Sequence, residues 1–404
     1  MNENATVTPT RVIGLDAHPD SFTAAILTGD TPAQALTQRT FNKVPMSSLQ
    51  TWARKNTLPS DRIVLEASGN SFEIVRQLKQ LDRHALVLES CQVGKLKEAH
   101  ANNDKISAVR IAKAFLAGTA KTVWVPDALT QERRDWFHAY RKTVKRSTQL
   151  TNRIRSYLSD NGVRLNTNSP LLEQRPLIDQ SRDWTRRQSL VLDEFFLELG
   201  HALEQREHWS RLIAQEVIAD ERLLSLVRIC GIRDVIAFSL GAIVGDIDRF
   251  ESPKKLVAYA GLYPAFDDSG KGQWTGGIGG HGRKDLRSLL IEAAQAVLRS
   301  EHPLARWGKA LLARKGSKNL VVAAMARKLT VAIWYLMKGR WNQLAEIDSA
   351  LSLKIGKIIS KVGAQGLQQM NHTRRSLRDQ IQRRLKESRI YRLEPERKFT
   401  PAPT

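Results

Sequence analysis

The sequence predicts an α/β domain at the front of the chain and all-α structure behind it, and three observations carry that reading. Short apolar runs alternate with amphipathic segments from residue 11 to about 126. At about Leu129 the apolar spacing switches to a helical period and keeps it. Residues 270–282 then hold seven glycines and no proline in a basic neighbourhood, where backbone can turn sharply and approach another molecule closely.

The elements follow in order. Residues 11–15 are an apolar run and predict the first strand. Residues 21–27 alternate loosely and predict its hairpin partner, and residues 38–44 a third strand. A helix carrying Leu49 and Trp52 comes next, then a strand over 63–66, a helix over 72–81 and a strand over 84–88. Residues 106–117 predict a helix with Ile106, Ile111, Ala114 and Phe115 as its apolar face, and residues 123–125 a last short strand. Hairpin strands followed by alternating helices and strands fit a mixed sheet covered on both faces.

From 129 to about 163, Trp136, Tyr140, Val144, Ser147, Thr151, Ile154 and Leu158 recur at spacings of three and four. Arg133, Arg134, Arg141, Lys142, Lys145, Arg146, Arg153 and Arg155 fill the other faces. Pro170 and Pro176 mark a linker. A second long helix is predicted over 184–218, through Leu192, Phe195, Leu199, Leu203, Trp209, Leu212 and Val217. Two such helices predict a helical hairpin or an intermolecular coiled coil, with an ordinary helical subdomain as the plain alternative. Ile229-Cys230-Gly231-Ile232 and the apolar helix ending near Gly245-Asp246 form a helix–glycine turn–helix, which offers backbone N–H groups to phosphate. Helices near 284–300 and 320–337 close this region. The tail from 346 is helix-prone and basic, with Arg374, Arg375, Arg378, Arg383, Arg384 and Lys386 grouped. The expected division is a mixed-sheet domain over 1–126, a long-helix region over 127–221, a C-terminal, mainly helical domain over 222–345 and a basic helical tail over 346–404.

The 404 residues are too many for one compact core. A net charge of +22 calls for a polyanionic partner, and the patterning favours nucleic acid over a membrane surface. Residues 1–126 carry 15 Lys/Arg against 11 Asp/Glu, a net of +4, so the remainder carries 22 − 4 = +18. Contact with nucleic acid is therefore expected mostly on the helical and C-terminal parts. Cys91 and Cys230 are too few for a disulfide framework, and the histidines lack Cys/His zinc spacing. The N-terminus reads as lacking a signal peptide, and Arg327 and Lys328 interrupt the most apolar stretch, against a membrane span. A cytoplasmic protein is expected.

Three carboxylates stand out. Asp16 closes Val12-Ile13-Gly14-Leu15, Glu66 closes Ile63-Val64-Leu65, and Asp104 precedes a helix. Acids at two strand ends and a helix start can converge on one sheet edge. Two such charges ~4 Å apart repel by roughly 4 kcal/mol at an effective dielectric near 20, so a cation between them is expected. All-oxygen ligation favours Mg²⁺ or Mn²⁺. The plain alternative is strand-end acids in solvent; an actin-like ATPase also opens with such a strand, but its extended phosphate-binding glycine loops are missing from this sequence. Far downstream, Ser269 lies in Asp267-Asp268-Ser269-Gly270-Lys271. A serine hydroxyl becomes nucleophilic when a base or metal assists it. Lys271, Arg283, Lys284 and Arg287 can neutralise charge developing on phosphate, and Arg141, Lys142, Lys145 and Arg146 can bind nucleic-acid backbone. An incidental serine in a glycine hairpin is the alternative.

The order of these residues resembles a known family. Ile13-Gly14-Leu15-Asp16-Ala17-His18, Val64-Leu65-Glu66-Ala67-Ser68-Gly69 and Asn103-Asp104-Lys105 resemble the acidic blocks of a RuvC-like, RNase H-type domain. Cys230-Gly231-Ile232, Gly245-Asp246-Ile247, Ala258-Tyr259-Ala260-Gly261-Leu262, Ser269-Gly270, Gly276-Gly277-Ile278 and Gly282-Arg283-Lys284 resemble the C-terminal domain of insertion-sequence transposases of the IS110 family, its IS1111 branch included. The resemblance spans most of 11–340. It implies a bridge-RNA-guided serine recombinase acting on donor and target DNA. It also implies a tetramer, a dimer of dimers, whose active sites join the RuvC-like domain of one protomer to the serine domain of another. By position it makes Asp16, Glu66 and Asp104 the metal-site acids and Ser269 the nucleophile. The family's usual fourth acid is replaced by Ser107, a weaker ligand. The expectation is an RNA-guided DNA recombinase (a transposase) using a phosphoserine intermediate and divalent metal. The runner-up is a RuvC-like metal-dependent nuclease or Holliday-junction resolvase using water, and the third is a catalytically decayed nucleic-acid-binding protein.

Overall fold

The computed structural model describes residues 10–90, 103–165, 169–269, 272–278, 281–341, 348–387 and 391–392. The chain divides into two compact units, Met1–Ala128 and Leu129–Thr404.

Unit 1 runs β1 (Arg11–Ala17), β2 (Ser21–Thr28), β3 (Leu36–Pro45), α1 (Leu49–Asn56), β4 (Arg62–Glu66), α2 (Ser71–Lys79), β5 (His84–Leu88), α3 (Asp104–Leu116) and β6 (Thr122–Val123). The strands form one sheet in the order β3-β2-β1-β4-β5-β6. β1, β4 and β5 are parallel, while β2, β3 and β6 pair antiparallel with their neighbours. Ile13, Leu15, Ile63 and Leu65 pack on one face against Leu49 and Trp52 of α1 and Ile74 and Leu78 of α2. Val12, Val64 and Leu88 pack on the other against Ala108, Ile111 and Ala112 of α3. The central strands are thus apolar on both sides, which is why they read as continuous runs rather than alternations.

The expected apolar face of α3 needs correction. Its buried residues are Ala108, Ile111, Ala112 and Ala114, while Ile106 is 38% exposed. The cause is Gly14. A Cβ there would stand 1.9 Å from the carbonyl oxygen of Ala108 and 3.0 Å from the amide nitrogen of Ala112. A helix this close to a sheet has room only for small residues in the contact.

Unit 2 is helical: α4 (Ala128–Asp160), α5 (Arg175–Gln180), α6 (Arg186–Ala219), α7 (Glu221–Leu226), α8 (Asp234–Val244), α9 (Pro253–Tyr259), α10 (Lys284–Leu298), α11 (Pro303–Lys315), α12 (Lys318–Met337), α13 (Asp348–Gln369) and α14 (Arg374–Glu387). A hairpin of β7 (Pro264–Ser269) and β8 (Gly272–Ile278) interrupts it, and β9 (Arg340–Trp341) pairs with β10 (Tyr391–Arg392).

α4 and α6 lie antiparallel. Going up α4, Arg133 meets Glu216 at 2.6 Å, the rings of Trp136 and Trp209 lie 5.9 Å apart, and Arg146 meets Glu198 at 3.5 Å. The helical hairpin is therefore formed within one chain. Its outer end buries Leu150, Ile154, Leu158, Leu192 and Leu199 around Leu171 and Ile178. Phe137 of α4 and Ile213 and Val217 of α6 join the main core with α7 to α14. α12 is long and apolar enough to cross a membrane, and its apolarity has a local use: Val321, Met325, Leu329 and Ile333 are buried in that core. Residues beyond 346 share the same core through Ile355, Ile359, Leu377, Ile381 and Leu385.

Gly231, at φ 78°, makes the expected turn between α7 and α8, and a Cβ there would meet Ala293 O at 2.6 Å. The first turn of α8 differs from an open phosphate seat. It carries buried Asp234, paired with Lys361, so a carboxylate already faces the positive end of the helix.

Candidate metal centre and serine hairpin

Asp16 sits at the carboxyl end of β1, with Glu66 at the carboxyl end of the parallel neighbour β4, one residue past the Leu15–Leu65 pair. Laterally matched residues of parallel strands point to one face. That face is the α3 side, because Val12 and Val64, in phase with Asp16 and Glu66, pack against α3. Asn103 fixes where α3 begins, its side chain accepting from the Ile106 amide at 2.9 Å. Asp104 lies one turn before Ala108, which rests on Gly14. The close helix–sheet approach therefore sets Asp104 over the end of β1.

The structure adds a residue that the sequence pattern did not single out. His18 Nε2 lies 3.6 Å from Asp104 Oδ1 and 4.0 Å from Asp16 Oδ2. One ligand atom from each of Asp16, His18 and Asp104 lies within 4.8 Å of the others, an arrangement that could hold a metal ion. Glu66 stands beside this group without belonging to it, and Ser107 is half-buried on the next turn of α3. Backbone contacts hold His18 in place. Its N–H donates to Ser21 O at 2.8 Å, and its carbonyl accepts from Asn70 Nδ2 at 2.8 Å. The sequence signal for His18 was slight: one histidine two residues after Asp16, just past the end of β1.

Ser269 is the last residue of β7 and pairs with Gly272 of β8, so it directly precedes the tip of a tight hairpin. Gly270 and Lys271 lie outside the described residues, and the expected role of Lys271 lies there with them. The base of the hairpin is pinched. A Cβ on Gly261 (φ 68°) would meet His281 O at 2.1 Å, and one on Gly282 (φ 104°) would meet Gly261 Cα at 2.7 Å. Arg283 N–H donates to Tyr259 O at 2.8 Å, and Arg287 Nη1 lies 3.3 Å from the carbonyls of both Gly261 and His281. Arg283 pairs with Asp285 at 3.0 Å. Burial would raise the Asp285 pKa, but the hydrogen bond and charge of Arg283 outweigh it and hold the carboxyl below its ordinary value. Arg283 and Arg287, expected to face phosphate, are thus engaged in building the hairpin's footing, while Lys284 is exposed.

Comparison with known proteins places both units in one family of DNA-acting enzymes. Residues 13–161 match the DEDD-type transposase model of IS110 elements, and residues 224–307 match the transposase IS116/IS110/IS902 family. The transposase for insertion sequence element IS1111A of Coxiella burnetii is 30% identical over 68% of this chain and 77% of its own length. The chain belongs to the IS116/IS110/IS902 transposase family. The IS1328 transposase of Yersinia enterocolitica is 24% identical over 80% of this chain and 95% of its own, and a pilin gene-inverting protein of Moraxella lacunata is 28% identical over 45% and 59%. A DEDD-type domain implies a divalent metal, and the site chemistry fits one. Asp16 and Asp104 bring two carboxyl groups to one place, and His18 adds a ring nitrogen beside them.

The basic residues of this transposase sort into two kinds. Arg141, Lys142, Lys145 and Arg146 are exposed on α4, Arg146 with Glu198 as a neighbour. Arg133 and Arg134, on the same helix, turn inward. Arg133 binds Glu216 at 2.6 Å and Asp220 at 2.7 Å. Arg134 is buried and donates to Ala242 O at 2.9 Å and Ile243 O at 3.3 Å, satisfying carbonyls at the end of α8. Burial lowers the Arg134 pKa, and Arg283 nearby lowers it further.

Proposed function

We propose that this transposase cuts and rejoins DNA through Ser269, assisted by a divalent cation held by Asp16, Asp104 and, alongside them, Glu66, with a structured guide RNA selecting the DNA. The observation that carries the reading is the placement of Ser269 at the last paired position before the tip of a hairpin with a fixed base. That is a presentation suited to a nucleophile. A bound Mg²⁺ or Mn²⁺ supplies charge stabilisation to a reacting phosphodiester.

The serine step balances without an energy source. Ser269 Oγ forms a bond to phosphorus and gives up its proton. The bond from phosphorus to the leaving deoxyribose oxygen breaks, and that oxygen takes a proton. Reversal by another DNA hydroxyl restores the phosphodiester and frees the serine. Exposed Arg141, Lys142, Lys145, Arg146 and Lys284 contribute backbone affinity. Such contacts carry no sequence information, and base pairing by a guide RNA supplies it, as in other guided systems.

The test uses full-length protein with its co-purified RNA, labelled DNA and Mg²⁺ or Mn²⁺, resolved under denaturing conditions. A labelled protein band is expected with wild type and none with Ser269→Ala. Cleavage at the wild-type rate by Ser269→Ala would give the case to the second reading, a water-using nuclease. That reading is favoured by the nuclease-like DEDD domain and by a metal group contained in unit 1.

A further inference from the structure

We infer that His18 is an inner ligand of the metal, standing in for the absent fourth acid, and that it shifts the site's preference from Mg²⁺ toward transition ions such as Mn²⁺. The inference rests on the reading of unit 1 as a divalent-metal domain.

The geometry points to ligation rather than to a hydrogen bond. Nε2 of His18 is 3.6 Å from Asp104 and 4.0 Å from Asp16, too long for a hydrogen bond to either. Two donors bound to one ion at about 2.1 Å each stand up to about 4.2 Å apart. Both separations from His18 Nε2 fall within that span. His18 also arrives from a different direction than Ser107. Ser107 lies along α3 from Asp104, whereas His18 lies past the end of β1, and the Asn70 hydrogen bond holds its backbone there. The site thus gains a nitrogen donor on the β1 side while the α3 side offers a hydroxyl in place of a carboxylate.

That exchange changes the ion the site suits. Mg²⁺ takes oxygen ligands in a strict octahedron, while imidazole suits borderline transition ions. Replacing an anionic oxygen with a neutral nitrogen removes one negative charge and disfavours Mg²⁺ most.

Mn²⁺ is both candidate and probe. Full-length protein stripped with chelator is titrated with Mn²⁺ and followed by electron paramagnetic resonance, with pulsed measurements for coupled ¹⁴N. Wild type is expected to show ¹⁴N modulation. His18→Ala should lose it and bind Mn²⁺ at least tenfold more weakly, whereas His84→Ala should keep both. In competition with Mg²⁺, His18→Asp should lower the Mn²⁺/Mg²⁺ affinity ratio about tenfold or more. His18 is half exposed, so its variants should fold, and thermal melting checks this. Mn²⁺ binding that needs Asp16 and Asp104 but shows no ¹⁴N coupling would overturn the His18 assignment and leave the metal domain standing. Binding indifferent to Asp16→Asn and Asp104→Asn would overturn the metal-domain reading itself.

Discussion

Gly14→Ala tests how the sheet positions the metal site. The added Cβ would sit 1.9 Å from Ala108 O, and real Cβ contacts essentially never fall below 3.0 Å, so α3 must retreat by at least 3.0 − 1.9 = 1.1 Å. The obstacle is backbone, which cannot rotate away. Overpacking of this kind costs about 1–3 kcal/mol, or roughly 4–12 °C in melting temperature for a domain of this size. The retreat also carries Asp104 away from Asp16. Metal ligands must hold their distances to within about 0.2 Å, and a misplacement of about 1 Å can cost on the order of a hundredfold in rate. The assay pairs thermal melting with Mn²⁺ affinity and DNA cleavage. Gly69→Ala is the control, because nothing lies within 4 Å of a Cβ there. If Gly14→Ala melted and bound metal as wild type does, the argument that the α3–Gly14 contact sets Asp104 would be wrong.

Four further outcomes are expected. Burial would raise the Asp220 pKa, but Arg133 and two backbone N–H groups outweigh burial and lower it from 3.8, so this carboxylate stabilises the fold above that value and ceases to as pH falls through its lower folded value; acid melting of Asp220→Asn should show a weaker loss over that window than wild type. Replacing Arg141, Lys142, Lys145 and Arg146 with Ala should leave melting unchanged and flatten the salt dependence of DNA binding, by about 0.9 in log–log slope for each duplex phosphate that is no longer neutralised; an unaltered slope would mean that this face binds something else. Ser107→Asp should leave cleavage activity unchanged or raise it, and a strong loss would show that the hydroxyl is needed where it stands. Mixing Ser269→Ala protein with Asp16→Ala protein should restore part of the covalent DNA adduct if different protomers supply the two halves, and no recovery in a verified mixed oligomer would argue that each chain must supply both.

The central strands of unit 1 were legible because a run apolar on both faces leaves few other choices, and the acids at their ends were legible as breaks in those runs. α3 shows the limit. Apolarity ranks Ile106 and Phe115 above Ala108 and Ala112, but the approach to Gly14 is a tertiary fact that reverses the ranking. His18 escaped because a single half-exposed histidine gives no periodic signal. α9 and α11 went unpredicted: Pro253 and Pro303 punctuate the sequence, yet each sits at the start of a helix, where proline's missing N–H costs nothing. The glycines of 270–282 left β8 legible only as half of an alternative glycine hairpin, because glycine is depleted in strands. Arg134 read as one more surface charge, since nothing local separates a solvated arginine from one aimed at the carbonyls of α8.

The pinch between Gly261 and Gly282 has a consequence for how this hairpin can change over time. It closes the chain on itself at a point where two backbones touch with no side chain between. Once a loop is closed, doubling its length costs only about 0.6 kcal/mol. By that measure the chain entropy of closing the ring depends little on how many residues it holds. Such a ring is a socket: residues added between its ends are expected to cost the fold little in closure entropy, while its attachment at the two glycines stays fixed.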